Sequence, residues 1–447
     1  MRRITGIFIL LLLVACIGAS AQPARHVVLI TIDGFRPEFY LDAEWGAVNL
    51  QQLKASGACV KRVRGIFPTV TFPSHTTLVT GSYPASHGIF YNVPFIRDGS
   101  TDQWYFHFKD IRSSTLWDAA RKKGLKTGSV LWPVTVGAPI DYNVPDIFLI
   151  GNSDRLAVTR QYTTPPALWD EIEQNATGKL APNDFNLDKD YLSMDENVAR
   201  MSAYIIRKYK PSFVALHLPA VDHAEHHDGR DGDQVRRAVA GADRAIRTIV
   251  EALDKAGVAE QSTIIVTGDH GFAERQATFS PNILLSQAGL FSGTKEGEWK
   301  ARFHASGGSA FLYLHDRKDR ATLNAVRKLL IDLPDSTKRA FRVLTEPELR
   351  TSGADPEVVL ALTANPGYNL GGATTGALLR KGFGGNHGHF PDLPEIHTGL
   401  VMFGAGVKKG AVIQEINMVD IAPTIARLLG IDLGRVDGRV RQELLSE

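Results

Sequence analysis

The chain has 447 residues, 44% of them hydrophobic and 22% charged, with a formal net charge of +2 at pH 7. So near-neutral a balance excludes a stable nucleic-acid complex held by phosphate neutralisation, while the hydrophobic share supports a large buried core. Two cysteines, Cys16 and Cys59, exclude a disulfide framework.

The start of the chain, Met1-Arg2-Arg3, then an apolar block over 7–14 and Ala19-Ser20-Ala21, reads as a secretory signal peptide over residues 1–21. It is too short to span a membrane, and no transmembrane segment is expected elsewhere. Leu13-Val14-Ala15-Cys16 also has the form of a bacterial lipobox, which would leave a lipid anchor on Cys16. Cleavage after Ala21 is the reading adopted, giving a periplasmic or secreted protein, with a lipoprotein anchored through Cys16 as the alternative. Cys59 then stands alone and reads as a small buried apolar residue.

A continuous β-branched run, His26 to Ile32, follows and ends in Asp33-Gly34. Such runs belong to central parallel strands covered on both faces, and open α/β sheets hold their ligands at the carboxyl ends of those strands. A helix is expected over 47–56, stopped at Gly57. Then comes Ile66 to Asn92, with Thr71-Phe72-Pro73 ahead of a helix expected over 74–80. Proline suits a first helical turn, and a hydroxyl beside that helix start lies among free N–H groups at the positive end of the macrodipole, where phosphate is held well. Thr71 is therefore a candidate nucleophile, against the plain reading of a helix cap.

A helix over 115–123 and a strand over 127–132 come next. The irregular stretch near 137–166 reads as a lid. A helix over 195–208 leads to a buried strand over 212–218 and then to Asp222, His223, His226 and His227. A long amphipathic helix carrying Val235, Ala238, Ala242, Ile246, Ile249 and Leu253 on one face precedes a third buried strand, 262–267, which ends in Gly268-Asp269-His270-Gly271. Further insertions are expected near 273–302 and 338–380. The chain closes with Gly385-Asn386-His387-Gly388-His389, a strand over 398–403 and a helix over 421–429. Alternation of strands and helices predicts an α/β fold: a central, mainly parallel sheet flanked by helices on both faces, as one catalytic domain over 22–447 with cap or lid insertions.

Asp33, Asp222, His226, Asp269, His270 and His387 all follow predicted strands or sit in glycine-rich turns. In a parallel sheet those ends converge on one edge, and mixed carboxylate and imidazole ligands suit zinc or a similar borderline cation.

The segments ITIDGF, FPTVTFPSHTTLVTGSYPASHGIFYN, VDHAEHHDG, VTGDHGF and GNHGH resemble, in order and over nearly the whole mature chain, the motifs of the alkaline phosphatase superfamily, and specifically its nucleotide pyrophosphatase/phosphodiesterase branch. The resemblance implies an alkaline-phosphatase-like fold and two Zn2+ ions, with Mn2+ or another divalent metal as substitute. Asp33, Thr71, Asp269 and His270 would bind one ion, and Asp222, His226 and His387 the other. Asn92 would point its amide at a phosphoryl oxygen, with the Phe72 N–H as a second donor. His223, His227 and His389 match no ligand position and read as supporting or solvated residues; His75 and His87 match motif histidines outside the ligand set. HAE stands between Asp222 and His226 where the family commonly has SSG, which bears on substrate choice more than on chemistry.

What the resemblance implies for function is cleavage of a small phosphodiester or nucleotide substrate by in-line displacement between two cations, through a phospho-threonine intermediate on Thr71. Leu131 to Gly137 carries no cation, whereas monoesterase relatives keep Lys or Arg there, so a diester or pyrophosphate bond is the expected target. Phosphomonoesterase, phospho-alcohol or phosphonate chemistry on the same metals is the alternative. A module that binds without turnover would need a missing ligand, and every ligand position is filled.

Overall fold

The computed structural model describes residues 24–149 and 155–446. The expected signal peptide, the lipobox at Cys16 and part of the expected lid lie outside the described residues.

The β-branched runs form one nine-stranded sheet. Its centre is β1 (His26–Ile32), flanked by β5 (Phe213–Leu218) and β6 (Ser262–Thr267), all parallel. Beyond β5 come β3 (Thr127–Val130) and β4 (Tyr142–Val144), again parallel. On the other side the Thr398–Gly404 strand runs antiparallel to β6 and to β2 (Ala58–Arg64), and two short strands close that edge. Successive side chains of β1 point to opposite faces. Val28, Ile30 and Ile32 join a core with the helices Leu187–Tyr209 and Asp233–Ala256. Val27 and Leu29 join a second core beneath the helices Thr71–Thr80, Leu116–Lys122 and Ile421–Leu429. The sheet is thus covered on both faces, which is why its strands read as unbroken apolar runs.

Register decides where the chemistry collects. Ile32 lies opposite Leu218 and Thr31 opposite Thr267, so Asp33, the Pro219-Ala220 turn and Gly268-Asp269 leave the sheet at one level.

The expected insertions near 273–302 and 338–380 are parts of larger units. A four-stranded antiparallel sheet, in the order Phe341–Leu344, Leu360–Ala364, Ser309–Leu314, Ala301–Ser306, takes in the intervening residues as well. It has its own core, including Phe303, Phe311, Leu312, Leu323, Phe341 and Leu362. An apolar run such as Ser309–Leu314 announces a buried strand without saying which sheet will receive it. The strand Ala273–Phe279 pairs with Gly367–Leu370, Leu379–Lys381 and Gly385–Asn386, and so carries the His387 loop back to the main sheet. The stretch read as a lid near 137–166 holds regular elements among its described residues. Its first part supplies the edge strand β4, and its last part the helix Arg155–Tyr162. Cys59 is buried on β2.

Candidate active site

Two triads meet at this edge of the sheet. In one, Asp33, Asp269 and His270 bring one ligand atom each within 4.8 Å of one another; in the other, Asp222, His226 and His387 do the same. Within the first, His270 Nε2 lies 3.1 Å from Asp269 Oδ2 and 3.4 Å from Asp33 Oδ1. In the second, the Nε2 atoms of His226 and His387 each lie 3.4 Å from Asp222 Oδ1. The triads adjoin through the imidazoles of His270 and His387, stacked with centroids 3.6 Å apart and planes 10° from parallel.

Five of the six ligands are aimed by the atom that faces away from the site. His226 Nδ1 is 3.2 Å from the Gly385 carbonyl, His270 Nδ1 3.2 Å from that of Gly271, and His387 Nδ1 3.0 Å from that of Thr69. An Nδ1–H bonded to a carbonyl leaves Nε2 as a free lone pair, which is how proteins orient metal-ligating histidines. Asp269 Oδ1 accepts the N–H groups of Gly34 (3.2 Å) and His270 (3.0 Å), while Asp33 Oδ2 sits 3.0 Å from His217 Nε2. Gly34 must be glycine: its φ is +72°, and a Cβ there would meet Glu225 Oε2 at 2.4 Å.

The opposite atoms are orphans. Asp33 Oδ1, Asp222 Oδ1, Asp269 Oδ2 and His270 Nε2 are buried without a hydrogen-bond partner. Burial first, and the neighbouring carboxylates next, push the Asp33 and Asp269 carboxyls well above the usual range. Burial holds the imidazoles of His270 and His387 neutral, the latter lowered to about 4. Converging carboxylate oxygens and imidazole lone pairs with nothing to bind are the donor set of a borderline divalent cation, so these residues fit a metal pair.

Thr71 is linked to the first triad through His75. The helix begins at Thr71 itself, three residues earlier than expected, with Val70 as the extended residue before it. The reason is local: Pro73 has no N–H to lose in a first turn, so the turn can begin ahead of it. The Thr71 carbonyl accepts from His75 Nδ1 at 2.8 Å, and that nitrogen is 3.7 Å from Asp269 Oδ2, which ties the helix start to the first triad. His75 Nε2 is 2.9 Å from the Thr31 hydroxyl, and burial keeps the ring neutral. Asn92 sits at the same helix start, but its Oδ1 accepts the Phe72 N–H at 2.9 Å. The Phe72 N–H, expected as a free donor, is therefore engaged. That bond instead leaves the Asn92 side-chain NH2 as the available donor.

Asp222 and His226 occupy one face of the Ala220–Asp228 helix and not a turn, four residues apart. His389, read as a supporting or solvated residue, is fully enclosed and contacts the Tyr368 carbonyl at 3.3 Å, outside both triads. His87 is likewise buried, 3.1 Å from the Thr77 hydroxyl. Trp132 is buried edge-on against His75. The apolar cluster around Phe72 comprises Trp104, Phe106 and Phe148, packed with Val134 and Val136.

The sequence reading passed over His217, which bridges the Leu131 carbonyl and Asp33. Its signal was available: one imidazole in the otherwise apolar strand FVALHL. Thr69, which aims His387 and receives the Gly388 N–H, had no such signal.

A family model described as type I phosphodiesterase / nucleotide pyrophosphatase matches residues 27–389. The bis(5'-adenosyl)-triphosphatase enpp4 of Xenopus laevis is 24% identical over 421 residues, covering 91% of this chain and 78% of that protein. Human ectonucleotide pyrophosphatase/phosphodiesterase family member 1 is 25% identical over 267 residues, covering 55% of this chain and 23% of its own, much longer one. Among solved structures, human ectonucleotide pyrophosphatase/phosphodiesterase 5 superposes with a TM-score of 0.67 at 19% identity, covering 94% of this chain and 100% of that one. An inactive variant of the murine protein, in complex with AMP, superposes with the same score.

Proposed function

The chain belongs to the type I phosphodiesterase / nucleotide pyrophosphatase family, and from that premise we propose that it is an exported, two-metal hydrolase. Its targets are phosphodiester or pyrophosphate bonds in small nucleotide-like substrates, cleaved through a phospho-threonine intermediate on Thr71. The observation that carries the reading is the set of orphaned ligand atoms on Asp33, Asp222, Asp269 and His270, aimed at one another beside the start of the Thr71 helix.

Asp33, Asp269 and His270, with the Thr71 hydroxyl, would hold one divalent cation and Asp222, His226 and His387 the other, zinc being the best match to the donors. When bound, the pair supplies Lewis-acid charge for the oxygens that enter and leave phosphorus. The chain does the rest. The Thr71 oxygen forms the new bond to phosphorus while the bond to the leaving oxygen breaks, and water later cleaves the phospho-threonine ester. The positive end of the Thr71–Thr80 helix favours the anionic group in front of it. The Asn92 side-chain amide, oriented by its own bond from Phe72 N–H, is positioned to donate to a phosphoryl oxygen. Trp104 and Phe148, half-buried beside Phe72, offer a surface for the second ester group, where a planar base can stack.

A comparison of kcat/KM on an aryl phosphodiester and on the matching monoester tests the reading, with the diester expected to be preferred. Thr71→Ala should lower diester turnover by about 10^3-fold or more while zinc content stays near that of the parent. Monoester preference, or an active Thr71→Ala protein, would overturn it.

A further inference from the structure

A second pair of histidines lies on the helix that carries Asp222 and His226. His223 and His227 are four residues apart on Ala220–Asp228, with ring centroids 4.6 Å from each other. Asp188, in the first turn of the Leu187–Tyr209 helix, joins them: one ligand atom from each of the three lies within 4.8 Å of the other two. The ring contacts of the pair are with each other and, for His223, with Tyr191.

The helix thus bears two histidine-bearing pairs displaced by one residue, about 100° around the axis. Asp222 and His226 turn toward His387; His223 and His227 turn toward the neighbouring helix. The rotation of the helix as a whole is held from below, where Glu225, fully buried on the same helix, lies 2.9 Å from Arg36 Nε.

We propose that His223, His227 and Asp188 form a third divalent-cation site, for zinc or a similar borderline cation, separate from the two inner triads. Two imidazoles and one carboxylate are a donor set of that class, and i, i+4 histidines are a recurrent way of presenting two nitrogens to one ion. Donors around tetrahedral zinc stand ~3.3 Å apart for bonds of about 2.0 Å. The ligand atoms, within 4.8 Å of one another, stand within about 1.5 Å of that spacing. Asp188 and His227 are exposed, so solvent completes the coordination and the ion exchanges readily. An ion here ties the metal-bearing Ala220–Asp228 helix to Leu187–Tyr209 and so restrains the segment that presents Asp222 and His226. The site stands on its own residues, whatever the inner triads hold.

The test is zinc titration of tag-free protein by calorimetry, with bound metal counted by elemental analysis, for the parent, Asp188→Asn/His227→Ala and His223→Gln. The parent should bind one equivalent more than either variant, and each variant should lose that event or weaken it at least tenfold. Both positions in the double variant are exposed, and circular dichroism checks that it folds. Because the readout is a difference between proteins, it holds even if the inner sites bind fewer ions than two. Equal stoichiometry and affinity in parent and variants overturns the proposal.

Discussion

At the scale of single residues, the site is built from atoms that already have one partner and present the other atom. His217 is the clearest case, since it fixes Asp33 by Oδ2 and thereby turns Oδ1 toward His270. Replacing it should loosen that carboxylate without removing a ligand. His217→Ala is expected to lower zinc affinity at the first triad by about 10- to 100-fold, the usual cost of losing a group that orients a ligand. Metal-dependent diester turnover across a buffered zinc series checks this: activity should return at high zinc, and unchanged zinc dependence would remove His217 from the orienting role. The motif residues around Thr71, Asp222 and Asp269 were legible in the sequence because their spacing is local. His217 was legible only as an oddity in an apolar strand, since its partner is 184 positions away. The true role of Asn92 toward the Phe72 N–H could not be read at all, because which of its two amide atoms faces the helix is a tertiary choice.

At the scale of elements, the Ala220–Asp228 helix depends on a buried acid at its start. Asp195, in the middle of Leu187–Tyr209, accepts the Ala220 N–H at 3.1 Å, and burial raises its carboxyl to about 7. Unfolded, the same group titrates near 3.9. Between those two values the folded chain holds a proton that the unfolded chain has lost, so this group makes stability fall as pH rises from about 4 to about 7. Asp195→Asn keeps an acceptor for Ala220 and cannot ionise. Relative to the parent it should gain roughly 1–4 kcal/mol between pH 4 and pH 8. Urea unfolding of both proteins across that range, at fixed zinc, checks the sign; a gap that is constant with pH removes Asp195 as its source. Helix positions themselves were largely visible from periodicity. Ile421–Leu429 matches its expected bounds, whereas Leu187–Tyr209 begins before the expected 195, with a first turn capped by Asn186 and broken from the rest at Asp190, whose φ of −154° and ψ of 81° are not helical.

At the scale of the whole molecule, segments from four regions of the chain converge on two triads, and bound cations, as proposed, would offset the cost of gathering their carboxylates. Chelation should therefore lower both activity and thermal stability. With zinc at a thousandfold excess over its dissociation constant, each occupied site adds about 4 kcal/mol. A thermal midpoint that does not move on chelation and rise again with zinc would show that the carboxylates manage without metal. The sequence by itself determined the central strands and the ligand types: runs such as His26–Ile32 and Ser262–Thr267 are apolar throughout because both faces are covered, and the Asp33 and Asp269 carboxylates follow directly at their carboxyl ends. It also determined the family, through motifs whose order survives low identity. Only the tertiary structure decided which insertion residues form the separate sheet over 301–364, that Trp132 is buried while Trp104 and Phe148 pack around Phe72, and that two histidines outside the ligand positions face Asp188. The physical reason is common to all three. Strand and helix periods fix which side of an element a residue occupies, but the neighbour on that side is set by packing between segments far apart in the chain.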